Sequence, residues 1–115
     1  MKVMEDDRDS RARLQVEHTG QGVIVHVRGE MDIDHADRLR ETLHTEVTRP
    51  QGSAEIVVDV THLTFCDSSG LNALLQARLT AQGLGRRIQL HNPSRQMTRL
   101  LELTGADQYF PTTHA

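Results

Sequence analysis

Glu55-Ile-Val-Val-Asp-Val60, followed closely by Phe65-Cys-Asp-Ser-Ser-Gly-Leu71, is where a strand hands over to a helix. The near-continuous β-branched run predicts a strand buried on both faces, as at the centre of a sheet. Thr61 to Asp67 leads out of it. Ser68 to Gln82 then reads as a helix. Leu71, Leu74, Leu75 and Leu79 share one stripe, and Ala73, Ala77 and Ala81 favour the helical backbone. Gly83 and Gly85 stop it.

Upstream, Asp34 to Val47 predicts another helix, with Ala36, Leu39, Leu43 and Val47 on one face. Asp32 and Asp34 both suit its N-cap. Arg49-Pro50-Gln-Gly52-Ser breaks the pattern and reads as a loop. Earlier still, Leu14-Gln-Val16-Glu alternates, and Val23-Ile-Val-His-Val27 is apolar on both faces. With Gly20-Gln-Gly22 between them, these form a predicted hairpin that Gly29 ends. Downstream, Arg87-Ile-Gln-Leu90 is a strand. Asn92 as N-cap and Pro93 at the first helical position open a third helix. Its buried face is Met97, Leu100, Leu101 and Thr104, and Gly105 stops it. Tyr109-Phe110 adds a short edge strand.

The order β-β-α-β-α-β-α implies one α/β domain: a mixed sheet of about four to five strands with helices packed on it. Met1 to Arg13 is polar, charged and aperiodic, and is expected to be a flexible tail. The domain spans 14–110, and 111–115 is a second tail.

Composition narrows the function. At 115 residues the chain holds one domain. Aromatic residues are 3%, so base stacking on exposed rings is disfavoured. A formal net charge of -3 argues against nucleic acid as partner. No apolar run approaches the roughly 20 residues that span a bilayer, and no apolar signal core follows the N-terminus. No membrane partner is expected, and the compartment expected is the cytoplasm. The single cysteine, Cys66, agrees with that.

Asp67-Ser-Ser-Gly70 carries the chemistry. Either Asp67 or Ser68 caps the second helix. The unpaired first-turn amides and the helix dipole offer a phosphorylated serine a local resting place. Gly70, with no side chain, lets a partner's backbone come close. Such a sequence is also an ordinary cap or turn, and Ser69 reads equally as a second capping hydroxyl.

Several stretches resemble one family in their order: Gly29-Glu30-Met31-Asp32; Ile56 to Val60; Leu63-Thr-Phe-Cys-Asp-Ser-Ser-Gly-Leu71; and Asn92-Pro-Ser94 with Leu100 to Gly105. The chain resembles STAS domains, specifically the stand-alone anti-sigma factor antagonists of bacteria, over residues 14–110. Cys66 departs mildly from the bulkier apolar residue frequent there. The resemblance implies a STAS-like fold and a non-enzymatic switch with Ser68 as the phosphorylation site. It implies as partner an anti-sigma factor that is itself a serine/threonine kinase. The unphosphorylated chain binds that kinase and releases sigma factor. Phosphorylation blocks binding, and a phosphatase resets the switch. The expected contact surface is Glu30, Asp32, Asp67, Ser68, Ser69 and Gly70, with Glu30 and Asp32 beside the Ser68 loop if their strands are neighbours. The alternative is an unphosphorylated STAS scaffold in a larger signalling or transport assembly.

Rival chemistries lack their residues. The seven histidines are scattered and form no metal-ligand pattern, so they read as surface groups. There is no Gly-x-Ser-x-Gly elbow and no phosphate-binding Gly-Lys-Ser/Thr loop. No catalytic residue, metal or cofactor is expected, and Cys66 reads as a buried, inert thiol.

Overall fold

The computed structural model describes residues 3–6 and 12–115. Its sheet contains β1 (Val3–Asp6), β2 (Ala12–Thr19), β3 (Gly22–Met31), β4 (Glu55–Asp59), β5 (Leu63–Cys66), β6 (Arg87–His91) and β7 (Thr112–Thr113). The helices are α1 (Ala36–Val47), α2 (Ser68–Gly83) and α3 (Arg95–Thr104), with a 3₁₀ turn at Ala106–Gln108.

The strands run in the order β1-β2-β3-β4-β6-β7, and β5 pairs with the far end of β3. β1 and β3 each run antiparallel to β2, which lies between them. The pairs β3–β4, β3–β5, β4–β6 and β6–β7 are parallel. The mixed α/β class therefore holds, in a wider sheet than the four to five strands expected. Three strands were not anticipated: β1, β5 and β7. Val3–Asp6, assigned to the polar tail, pairs with Met4 opposite Val16; the rest of 1–11 lies outside the described residues. The C-terminal edge strand is Thr112–Thr113, whereas Tyr109–Phe110 falls between it and the 3₁₀ turn.

Burial corrects a second expectation. β3 and β4 alternate strictly, with Val23, Val25, Val27, Ile56 and Val58 buried. One face of the sheet is therefore covered, not two. The partly exposed face carries polar groups. There His26 reaches Glu17 Oε1 through Nε2 and Asp59 Oδ2 through Nδ1, both at 2.9 Å, and so ties three adjacent strands.

The helices cover the apolar face. α1 packs on α2 and β3, α2 on β5 and β6, and α3 on β5. α2 buries Gly70, Leu71, Ala73, Leu74, Ala77 and Ala81, while Leu79 is exposed. Its inner surface is thus richer in small residues than the expected leucine stripe, which lets it lie close to its neighbours. Thr104 is likewise exposed, and its hydroxyl donates back to the Leu100 carbonyl.

Two helix starts differ from expectation. α1 begins at Ala36 after a turn in which the Asp32 carbonyl accepts from the amides of His35 and Ala36. α3 is capped by Ser94, whose hydroxyl accepts from the Met97 amide at 3.1 Å. Asn92 is instead a left-handed residue, φ 61°.

Candidate functional site at the start of the second helix

β3 does not stop at Gly29. That glycine has φ 84°, and a register shift falls between it and Glu30. Beyond this irregularity the strand continues, and Glu30 pairs with Phe65 and Met31 with Cys66. The Asp67 amide then donates to the Met31 carbonyl at 3.1 Å. The Glu30–Asp32 segment and the Ser68 loop are therefore neighbours. The strand that joins them, β5, was not evident from sequence.

Asp67 is the N-cap of α2. Its Oδ1 accepts from the amides of Ser69 at 2.8 Å and Gly70 at 3.3 Å, and its carbonyl accepts from Leu71 at 3.1 Å. This settles which residue caps. It also changes the expected use of the first-turn amides: Asp67 already occupies those of Ser69 and Gly70. Ser68 is exposed, and among the described residues its hydroxyl has no hydrogen-bond partner. Ser69 is half-buried.

Gly70 is buried. A Cβ built there would lie 2.7 Å from Met31 Cγ and 2.9 Å from Cys66 Sγ. The missing side chain makes room for the protein's own core, so Gly70 is not part of an outer contact surface. Cys66 is buried too. Burial first, then the Asp67 charge, pushes its thiol up to about 12, so it stays protonated.

Asp32 is half-buried and works locally. Its Oδ1 accepts from the Asp34 amide at 3.1 Å and lies 2.6 Å from His35 Nδ1. Asp34 is exposed, and among the described residues it accepts from no helix amide. His35 is only 2% exposed, contrary to the expectation that the histidines lie at the surface. Glu30 is exposed.

Three residues important to this edge went unrecognised in the sequence. Ile33 is 74% and Phe65 41% exposed. Ile33 follows the Glu30–Asp32 segment directly, and Phe65 is the ladder partner of Glu30. Their signal was that they are large apolar residues outside every core period. Gln96 of α3 is the third. Its Oε1 accepts from the Cys66 amide at 2.9 Å and its Nε2 donates to the Cys66 carbonyl at 2.7 Å. The side-chain amide thus pairs with the open edge of β5 as a neighbouring strand would. Nothing in its spacing distinguished it from a surface glutamine.

Among the described residues no helix is long and apolar enough to cross a membrane, and no group of three His, Cys, Asp or Glu side chains is placed to hold a metal ion.

The family described as Mlab, STAS domain, matches residues 14–112. An anti-sigma F factor antagonist of Paenibacillus polymyxa is 27% identical over 99 residues, covering 86% of this chain and 84% of that protein. The fold is similar to that of SpoIIAA, an anti-sigma factor antagonist solved in its unphosphorylated form. The TM-score there is 0.75 at 24% identity, with 89% of this chain and 87% of that one covered. The phosphorylated form of the Bacillus protein gives 0.70. A protein of Thermotoga maritima gives 0.78 at 18% identity, over 87% of this chain and 85% of that one.

Proposed function

The chain belongs to the STAS domain family, and from that premise we propose that it is a cytoplasmic anti-sigma factor antagonist switched by phosphorylation of Ser68. The observation that carries the reading is the Ser68 hydroxyl: exposed, unbonded, at the N-terminus of α2, and on the same edge as exposed Ile33 and Phe65. The similarity to a protein solved in both phosphorylation states supports it.

The partner is an anti-sigma factor with serine kinase activity. It docks on Glu30, Asp32, Ile33, Phe65, Asp67, Ser68 and Ser69. The apolar pair supplies contact area, and the kinase supplies ATP and all of the catalysis. A phosphate on Ser68 adds about −1.5 to −2 charge. Asp67 holds the amides of Ser69 and Gly70, so a phosphate on Ser68 stands beside a carboxylate and finds those two donors taken. In the complex it must lose its water against apolar surface or hold the two proteins apart. A loss of about 3 kcal/mol weakens binding more than a hundredfold. A phosphatase restores the binding form.

Incubation with ATP and candidate sigma-binding kinases, followed by intact-mass spectrometry with site mapping, tests this. A single phosphate on Ser68, absent from Ser68→Ala, is the expected result. Ser68→Asp should lose kinase binding while Ser68→Ala keeps it. If no candidate modifies or binds the chain, the switch reading fails and an unphosphorylated scaffold takes its place.

A further inference from the structure

The far end of α2 carries a different surface. A cavity of about 260 Å³ opens there, lined by Arg78 and Gln82 of α2, by Arg86, Arg87 and Ile88, and by Tyr109 and Pro111. Three arginines line it and no acidic residue does, in a chain whose formal net charge is -3.

Each arginine is held differently. The Arg78 guanidinium stacks 4.6 Å from the centre of the Tyr109 ring, and its Nε donates to the Tyr109 carbonyl at 3.1 Å. Neither of its terminal nitrogens has a hydrogen-bond partner among the described residues. Arg86 is committed inward. It donates to the Val47 carbonyl and, at 2.8 Å, to the Arg49 carbonyl. It contributes charge but few free donors. Arg87 is 68% exposed and pairs loosely with Glu55, 3.5 Å away.

We propose that this cavity is a second docking surface, for an acidic segment of a partner protein whose carboxylates pair with Arg78 and Arg87. The chemistry favours carboxylates on a chain over a small phosphate. Guanidinium groups bind carboxylates and phosphates alike as two-pronged pairs, so the choice between them rests on the apolar lining and on the backbone amides. A Tyr–Arg pair beside Ile88 and Pro111 provides the amphipathic anchor typical of protein contacts. The backbone amides that would cradle a small anion are already taken: Arg86 donates to Ala81 and Arg87 to Ala54. Along α2, Arg78 lies 10 residues and Gln82 14 residues beyond Ser68, about 15 Å and 21 Å away. An occupant here therefore leaves the Ser68 edge free, whatever its phosphorylation state.

Hexaglutamate is the probe, titrated into the isotope-labelled full chain and followed by amide shifts. The expected shifts cluster at Gln82, Arg87 and Tyr109. Arg87→Gln and Arg78→Gln should each weaken binding about tenfold, the size of one lost charge-assisted pair. Arg99→Gln, an exposed control, and Ser68→Asp should leave it unchanged. Because Arg87 is exposed, its variant tests the site without disturbing packing. Equal weakening by Arg99→Gln, or shifts scattered over the surface, would mark unspecific attraction and overturn the proposal. Displacement of the peptide by equimolar inorganic phosphate would overturn it as well, in favour of a small-anion pocket. Failure here says nothing against the Ser68 switch, which uses none of these residues.

Discussion

At Asp67 a single carboxylate oxygen satisfies two first-turn amides and also decides what surrounds a phosphate on Ser68. Asp67→Ala should therefore cost about 0.5–2 kcal/mol of stability, read as a shift in the urea midpoint, while Asp67→Asn keeps most of the cap. Equal losses in both variants would show that the charge, not the cap, matters. Gly70 has a sharper prediction. Gly70→Ala pushes a methyl against Met31 and Cys66. Packed between buried neighbours it should cost about 1–3 kcal/mol, despite the better helix propensity of alanine. An unchanged or raised midpoint would mean that Met31 moves aside freely. The sequence allowed a turn glycine or a contact glycine here, and the missing information was what lies across from it. The Asp67 cap was legible, as one of two candidates with Ser68, because capping chemistry is local. Gly70 was not, because close approach is a property of the packed fold.

The same division holds for whole elements. α1, α2, β3, β4 and β6 were legible because each carries its own period of burial or its own turn signals. β5 was not. Four residues with Thr64 and Phe65 exposed carry no alternation, and the strand exists because β3 runs to Met31 and offers it a partner. Its other edge is closed by Gln96. Replacing Gln96 with Leu removes both bonds to Cys66 and leaves that peptide unpaired in a half-buried setting, at a cost of about 1–3 kcal/mol. Hydrogen exchange at the Cys66 amide should speed up before that of β3 and β4. Protection at Cys66 equal to that of the parent would show that β3 pairing alone holds the loop. The leucine stripe of α2 misled for a related reason. Leucines on a helix outnumber the places a one-sided sheet can cover, and Leu79 is left outside while the alanines face in.

Across the molecule, β3 and β5 both end where α1 and α2 begin, so Glu30, Asp32, Asp67 and Ser68 gather beyond the carboxyl ends of parallel strands. Binding sites in open α/β sheets lie at that edge. The opposite end is fastened by charge. Glu46, 4% exposed near the end of α1, accepts from Arg49 at 2.9 Å and lies 2.8 Å from His18 of the β2–β3 hairpin. Burial alone would raise its carboxyl, but the hydrogen bonds from Arg49 and His18 outweigh that, and the net position is below the ordinary 4.5. A carboxyl depressed in the folded state stabilises above its unfolded value and loses that stabilisation as pH falls through its folded value. The stability of the parent should thus hold at neutral pH and decline below about pH 4.5, with Asp59, also held low, adding to the decline. Glu46→Gln should cost about 1 kcal/mol at pH 7, modest because Arg49 and His18 are partly solvated. It should also flatten part of the acid limb in urea titrations from pH 7 to 3. A parallel offset at every pH would show that Glu46 acts by shape alone. About 15 Å of α1 lies between Glu46 and Ala36, where the Asp32 turn meets the helix. On the proposed switch, the variant should therefore leave kinase modification of Ser68 at the parent rate, because this clasp sits at the end of α1 and Ser68 at the start of α2.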